Sequence, residues 1–413
     1  MKTVVLDDDP TGTQSASGVT VLLEYDADLI REALEHADSV YVQTNSRAID
    51  EASAVALVSD VRDAARQAAA DLGEQVQFVL RGDSTLRGHV FAETAQFLDD
   101  DAVIVFSPAF PDGGRTTVDG VHLVRADGVD VPAHGTEYAE DPVFPFASGV
   151  LAEYVAEKSG RAAVGIDVEA LRSGSAGEVI AMAPAGSVVL PDAVTNDDIR
   201  LIAQAIASAR RAGRSVVVRS AAPLAAALAD VQSDGLLRHP LVSAPVPTLL
   251  ACGSHTAGAT AQLDAVTAVH GPAIVIPTQD AFTDPVAAGN AAAEQARGRL
   301  RDGGLAIVTT ERHRRPEHNT LRHGELVMRA LTVAVRELVP EVEAVIAKGG
   351  ITSAELARTG VGAVRAQVRG QVLPGISVWD LVSAEGAEKL YVVVPGNVGE
   401  ADALTEVLAA LGR

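Results

Sequence analysis

Short apolar runs rich in valine and isoleucine recur through the first half of the chain, at residues 3–6, 19–23, 40–42, 76–80, 103–106, 188–190 and 216–218. Each leads into a polar or glycine-rich turn. Continuous runs of this length predict strands covered on both faces. Between them, residues 28–37, 52–72, 90–98 and 199–212 place apolar side chains three and four apart, the spacing of helices with one buried face. Gly73, Gly160 and Gly213 follow helical stretches, where a left-handed C-terminal cap fits. Strand alternating with helix predicts an α/β fold of mainly parallel sheets flanked by helices.

A second series of strands is predicted at 248–252, 273–276, 305–308, 344–347 and 390–394, with a last helix near 401–411. Pro240, Pro245 and Pro247 discourage helix between the two series and stiffen the chain. Two domains are therefore expected, 1–238 and 248–413, joined by a linker at 239–247. Residues 125–147, with Gly128, Pro132, Gly135, Pro142 and Pro145, read as a long excursion over the first sheet, a lid or an interface arm.

The chain has 413 residues, too many for one ordinary core, and 47% are hydrophobic against 21% charged, as in a globular protein. A net charge of −22 argues against nucleic acid and anionic membrane as partners, and any anionic substrate then needs a local positive pocket. Residues 1–25 lack a leader pattern and no apolar stretch nears membrane-spanning length, so a cytoplasmic protein is expected. The single cysteine, Cys252, lies in an apolar run and reads as a small core residue.

Ligands of open parallel sheets bind beyond the carboxyl ends of the strands. Four turns at those ends are unusually polar: Asp7-Asp8-Asp9-Pro10-Thr11-Gly12, Gln43-Thr44-Asn45-Ser46-Arg47, Arg81-Gly82-Asp83-Ser84-Thr85-Leu86-Arg87-Gly88, and Ser107 through Arg115 to Thr117. Converging on one rim, they offer arginines for a carboxylate and aspartates and hydroxyls for a polyhydroxy acid. In the second domain, Cys252-Gly253-Ser254-His255-Thr256, Lys348-Gly349-Gly350-Ile351-Thr352-Ser353 and Pro395-Gly396-Asn397-Val398-Gly399 follow strands. Their glycines let backbone N–H groups approach an anion, and Lys348 is one of only four lysines. Three such turns in one domain favour nucleotide binding, although no Walker sequence occurs.

His313, His318 and His323, with Arg312, Arg314, Arg315 and Arg322, form a basic island. Five-residue spacing of the histidines does not stack them on one helix face, so an exposed loop or subunit contact is expected rather than a metal site, with a role near nucleotide phosphates as the alternative. Trp379 reads as core, and Asp99-Asp100-Asp101 as a solvated turn.

Together these turns resemble the four-carbon acid sugar kinase family. The resemblance rests on Asp8-Asp9-Pro10-Thr11-Gly12, on Asp83 to Gly88, on Pro108 to His122, on Gly253-Ser254, on Gly349 to Ser353 and on Gly396 to Gly399. It implies an N-terminal domain that binds a sugar acid, a C-terminal domain that binds ATP, and an active site in the interdomain cleft. It further implies transfer to a terminal hydroxyl of an acid such as threonate, erythronate or 3-oxo-tetronate. By motif position, Asp8, Arg47, Asp83, Ser84 and Arg87 would bind the acid. Ser254, Lys348, Gly349, Gly350, Thr352, Ser353, Gly396, Asn397 and Gly399 would bind the nucleotide. Asp8 or Asp9, and after them Asp83, are the candidates for the base; Arg47 and Arg87 would hold the substrate carboxylate and Arg115 the migrating phosphoryl group. ATP and Mg²⁺ are the expected cofactors, with metal ligands unassigned, and a homo-oligomer is compatible with the family.

Pro10 replaces the family's usual Leu or Phe, Arg81-Gly82 stands where Lys and an aliphatic residue are common, Ile351 replaces a frequent Asp, and Val394-Pro395 replaces Lys-Ser. These departures leave two alternatives open: a branched 3-oxo acid such as one derived from apiose as acceptor, or a sugar-acid sensor without catalysis. A dehydrogenase is disfavoured because no Gly-x-Gly-x-x-Gly follows a strand.

Overall fold

The helices of the first half form where a cap and an apolar stripe coincide. Thr195 and Asp198 close a reciprocal capping box on the helix Asn196–Arg211, whose Ile199, Ile202, Ile206 and Ala209 are buried. Asp26 caps Ala27–His36 by accepting from Leu29 N–H, and Ile30 and Leu34, one turn apart, face the core. Strands such as Lys2–Asp7 are buried on both faces, and each fully buried Val or Leu contributes about 1.5–3 kcal/mol.

The computed structural model describes the chain except residues 127, 232–234, 313–319 and 397 and the side chains of Thr11, Gln14, Ser15 and Leu321. It divides into two units: Met1–Ser15 with Tyr25–Gln232, and Ala16–Glu24 with Ser233–Arg413. Among the described residues, no helix is long and apolar enough to cross a membrane.

The first unit holds a parallel sheet in the order Ser39–Gln43, Lys2–Asp7, Val76–Arg81, Val216–Ser220, Val103–Ser107, Val188–Pro191, Ala163–Ile166. Its register puts Asp7 opposite both Gln43 and Arg81, Arg81 opposite Ser220, and Ser220 opposite Ser107. The polar turns therefore leave the sheet along one rim. Residues 90–98, expected as one helix, form Val90–Thr94 and a 3-10 turn at Ala95–Phe97. The expected excursion belongs to a small antiparallel sheet of Arg115–Val118, Val121–Ala126 and Val129–Pro132, followed by 3-10 turns. Ala133, Ala139 and Phe146 are buried in a core cluster with Phe91, Phe106 and Tyr154. The segment is packed structure.

The second unit has a sheet in the order Ile274–Ile276, Leu305–Thr310, Thr248–Cys252, Ala344–Lys348, Glu388–Val394, Ile376–Ser383, Ala363–Leu373, Thr20–Leu22. The first five strands are parallel and the rest antiparallel. Thr20–Leu22 corrects the expectation that this run belongs to the first sheet: it pairs with Ala363–Leu373, and apolar periodicity carries no information about the ladder partner. The expected linker also packs on this unit, with Leu241, Val242 and Val246 against its core and Leu241 N–H donating to Ala410 O at 2.8 Å. Trp379 and Cys252 are fully buried, and Asp99–Asp101 are exposed.

Candidate active site

At the rim of the first unit the strand ends place carboxylates and guanidinium groups in alternation. Arg81 Nη1 lies 3.0 Å from Asp7 Oδ1, 3.5 Å from Asp8 Oδ1 and 2.7 Å from Asp9 Oδ1. Arg47 pairs with Asp9 and sits 3.3 Å from Asp8 and 3.7 Å from Asp83. Arg219 bridges Asp8 at 3.0 Å and Glu93 at 2.5 Å, and all three side chains are 2% exposed. Buried charges persist only when paired. Glycines make the room: a Cβ on Gly82 would come within 2.5 Å of the Arg219 guanidinium, and one on Gly12 within 2.1 Å of the Asp7 carboxylate. Gly82 in place of the family's aliphatic residue thus accompanies this placement of Arg219.

Asp7 is completely buried and its Oδ2 has no hydrogen-bond partner among the described residues. Burial pushes its carboxyl up to about 7, against the pull of Arg81. Between about pH 4 and pH 7 the folded state therefore keeps a proton that the unfolded chain has lost, and stability falls as pH rises through that window. Asp7→Asn, which keeps the neutral shape, should match the parent near pH 4 and exceed it in stability above pH 7. Denaturant titrations of both proteins at about pH 4.5 and 8 check this; equal pH slopes would mean that Asp7 is ionised in the fold.

Asp83 differs from its neighbours. Burial opposes its charge, but Arg87 and Arg47 overcome that and hold the carboxyl well below the usual range. Its Oδ2 accepts from Arg87 Nε at 2.7 Å and from Thr85, while among the described residues Oδ1 has only Arg47 at 3.7 Å. Oδ1 is thus the carboxylate oxygen left for a ligand, whereas both oxygens of Asp8 and Asp9 face arginines. Arg87 is similarly open: its Nε is committed to Asp83, but its terminal nitrogens make no hydrogen bond among the described residues, and its side chain is 23% exposed. Arg47, expected beside it as a carboxylate ligand, is ion-paired with Asp8, Asp9 and Asp83, and its Nε and Nη2 make no hydrogen bond among the described residues.

Ser84 is held through its backbone, whose carbonyl accepts from His122 Nε2 at 2.8 Å. That bond fixes the tautomer, so Nδ1 accepts from Thr117 Oγ1 at 3.1 Å. Burial lowers the imidazole to about 4 and keeps it neutral. Arg115 stays apart from the carboxylates, with Nη1 on the Gly113 carbonyl and no hydrogen-bond partner for Nε among the described residues.

Ligand oxygens of Asp7, Asp8 and Asp9 lie within 4.8 Å of one another, a spacing that admits a cation. Arg81 already reaches all three, and Arg47 and Arg219 flank them. The cluster does not fit a resident Mg²⁺, because the ion would have to displace a guanidinium and face two more.

In the second unit the three glycine turns meet. A Cβ on Gly253 would lie 2.4 Å from Thr352 Oγ1, one on Gly349 3.1 Å from Ser254 Cβ, and one on Gly396 2.7 Å from Ser254 Oγ. Thr256 Oγ1 donates to Gly396 O at 2.6 Å and caps the helix Ala257–His270 through Ala259 N–H. Gly349 at φ 121° and Gly399 at φ 88° occupy backbone space that favours glycine, and Gly350 opens the helix Gly350–Glu355. Asn397 lies outside the described residues.

Two expected phosphate contacts are placed differently. Lys348 is fully buried, its Nζ donating to Pro395 O at 2.6 Å and Val398 O at 3.4 Å, so it sits beneath the 396–399 turn. Burial lowers its amine to about 8. The Ser353 hydroxyl is spent on Ala347 O and Gly349 O. Of the basic island, Arg312 is not a loop residue facing away: its guanidinium donates to Ser254 O and, at 3.0 Å, to Thr260 Oγ1. His313, Arg314, Arg315 and His318 lie outside the described residues. Arg322 is exposed, and the His323 ring packs on Phe282 with centroids 4.6 Å apart.

Sequence reasoning missed Arg219 and Glu93, whereas Arg312 was singled out with the basic island and lies at the Ser254 turn, as the alternative reading of that island had it. The available signal was a charge inside an apolar run, as in Val216-Val217-Val218-Arg219 and Val90-Phe91-Ala92-Glu93.

A rim of paired arginines and aspartates in one unit and converging glycine turns in the other define a two-part protein, one part suited to a small hydroxylated anion and the other to phosphate groups. Residues 3–228 match the family model described as a sugar-binding N-terminal domain, and residues 249–404 match that of a nucleotide-binding C-terminal domain. The chain belongs to the four-carbon acid sugar kinase family. The D-erythronate kinase of Heliobacterium modesticaldum is 30% identical over 297 residues, 68% of this chain and 64% of that protein. The D-threonate kinase of Salmonella typhimurium is 31% identical over 214 residues, 50% of this chain and 48% of that protein. In each case the match spans less than two thirds of the relative. A solved protein from Salmonella typhimurium LT2 aligns at TM-score 0.70, and one from Haemophilus influenzae at 0.61. Each is 16% identical and covers 98% of this chain, with 98% and 99% of their own chains aligned, and they share its fold.

Proposed function

We propose that this protein transfers the terminal phosphoryl group of ATP to the terminal hydroxyl of a small sugar acid of the threonate, erythronate or 3-oxo-tetronate type. The observation that carries this reading is the pair of open groups side by side on the first unit: the outward nitrogens of Arg87 and Oδ1 of Asp83. Arg87 forks the acid's carboxylate. Asp83 Oδ1 accepts the hydroxyl hydrogen and takes the proton late, once the oxygen is bonding to phosphorus, when even a weak base suffices. This reverses the order expected from the motif, since Asp8 and Asp9 are occupied by arginines. The role expected of Arg115 has no support in its surroundings.

The glycine turns around Ser254 and Thr352 would receive the phosphates, with Arg312 fixing the Ser254 carbonyl. Magnesium enters only as the counter-ion of those phosphates. Gly396→Ala places a methyl group against Ser254 Oγ, and overpacking of about 1–3 kcal/mol should weaken ATP binding about tenfold or more. Titration of the folded variant with ATP reads this; unchanged affinity removes that turn from the nucleotide site.

The test of the whole reading is a panel of C4 to C6 sugar acids, linear and branched, assayed for ATP-dependent ADP release and for the phosphorylated product. Turnover of at least one acid is expected. Binding of acids and ATP without ADP would instead identify a sensor.

A further inference from the structure

The excursion between the small sheet and the helix Leu151–Ser159 contributes two side chains to the open arginine, neither of them part of a recognised motif. The Arg87 guanidinium carbon lies 5.0 Å from the centroid of the Tyr138 ring, a cation–π contact that walls one side of the group. Asp141 Oδ2 lies 3.7 Å from Arg87 Nη1, close enough for attraction and too far for a hydrogen bond. The position of Asp141 is fixed independently of Arg87. Its Oδ1 accepts from Val143 N–H at 2.9 Å and Phe144 N–H at 3.0 Å. Phe144 stands edge-on to His89 with ring centroids 4.9 Å apart, Phe146 packs on Tyr154 at 5.9 Å, and Phe146 N–H donates to Ala139 O at 3.2 Å. The loop therefore presents Oδ2 to the anion fork from a built position.

A carboxylate seated on the terminal nitrogens of Arg87 brings its neighbouring carbon alongside Asp141. If that carbon bears only hydrogen, two anions face each other with nothing between them. If it bears a hydroxyl, the O–H donates to Oδ2 and repulsion becomes a charge-assisted hydrogen bond. Attraction for one class and repulsion for the other is the usual source of selectivity. We propose that Asp141 reads the hydroxyl next to the acceptor's carboxylate and makes this site selective for 2-hydroxy acids. The inference rests on the sugar-acid reading above and names the residue that sets its substrate class.

The test compares D-erythronate with its 2-deoxy analogue, by calorimetric binding without nucleotide and by kcat/KM with ATP. The parent protein should prefer the 2-hydroxy acid about 10- to 100-fold, the range of a hydrogen bond to a charged group. Asp141→Ala removes the group, and the preference should shrink to about threefold or less; Asp141→Asn keeps the Oδ1 turn contacts, and its amide can still donate to the hydroxyl but without the charge, so its preference should fall between those of the parent and Asp141→Ala. Tyr138→Leu should weaken both acids equally and leave the ratio intact. A ratio unchanged in both Asp141 variants, or a parent protein that binds the two acids alike, overturns the proposal. Selective binding without ADP release supports Asp141's role and overturns the kinase reading alone. Failure to bind either acid overturns both.

Discussion

Asp83→Asn is expected to lower kcat about 10²- to 10⁴-fold, the usual contribution of a positioned proton acceptor, while leaving acid binding within a few fold. The asparagine amide has nearly the shape of the carboxylate, so Thr85 and Arg87 keep their neighbour. Its oxygen can satisfy Arg87 Nε, now 2.7 Å from Oδ2. That orientation turns the amide NH₂ toward the site of Oδ1, where it can donate to a hydroxyl but take no proton from one. Loss of the negative charge also leaves Arg87 less neutralised, which favours an anionic ligand and should keep KM for the acid from rising. Because Arg87 and Arg47 hold the Asp83 carboxyl well below the usual range, the parent's kcat should show no titration from this group at neutral pH. Asp8→Asn serves as the contrast: Asp8 is 2% exposed and faces three arginines, so its loss should appear chiefly in stability. Single-turnover ADP release, with circular dichroism to establish folding, separates the two; near-parental turnover of Asp83→Asn would exclude it as the proton acceptor.

The largest stability effect is expected from Arg219→Leu. The guanidinium bridges Asp8 and Glu93 where all three side chains are 2% exposed, in space kept open by Gly82 and Gly88. Leucine leaves the Glu93 carboxylate buried without its cation and Asp8 Oδ2 without its own, with only Arg47 and Arg81 remaining on Asp8 Oδ1, and breaking a buried pair from one side costs about 3–5 kcal/mol. The midpoint of denaturant unfolding should fall accordingly, with Arg219→Lys intermediate because an ammonium keeps the charge without the fork. A loss below about 1 kcal/mol would mean that water or protonation compensates the carboxylates. Two structural units unfold here, so the shift belongs to the transition that reports the first of them.

These effects differ in how far they could be read from the chain. Asp83 and Arg87 are four residues apart, and their pairing was foreshadowed by one short turn. Arg219 meets Asp8 across 211 positions and Glu93 across 126, and nothing local marks such a partnership except a charge embedded in an apolar run. Arg312 likewise looked like one member of an exposed basic stretch, yet it reaches back 52 positions to Thr260. Lys348 was legible as rare and well placed, but its direction was not: the amine turns under the 396–399 turn to Pro395 O.

What the sequence by itself determined was the alternation of buried strands and capped helices, the polar turns at the strand ends, and the glycine turns of the second unit. Each follows from short-range physics, the period of side chains along a strand or helix and the backbone freedom of glycine. Only the tertiary structure decided which charges neutralise one another, that Thr20–Leu22 pairs with Ala363–Leu373, and that Arg87 and Asp83 Oδ1 remain open while Arg47, Asp8 and Asp9 do not. Those outcomes depend on distances of a few ångströms between groups far apart in the chain, and the energy of a buried charge is set by its neighbours in space.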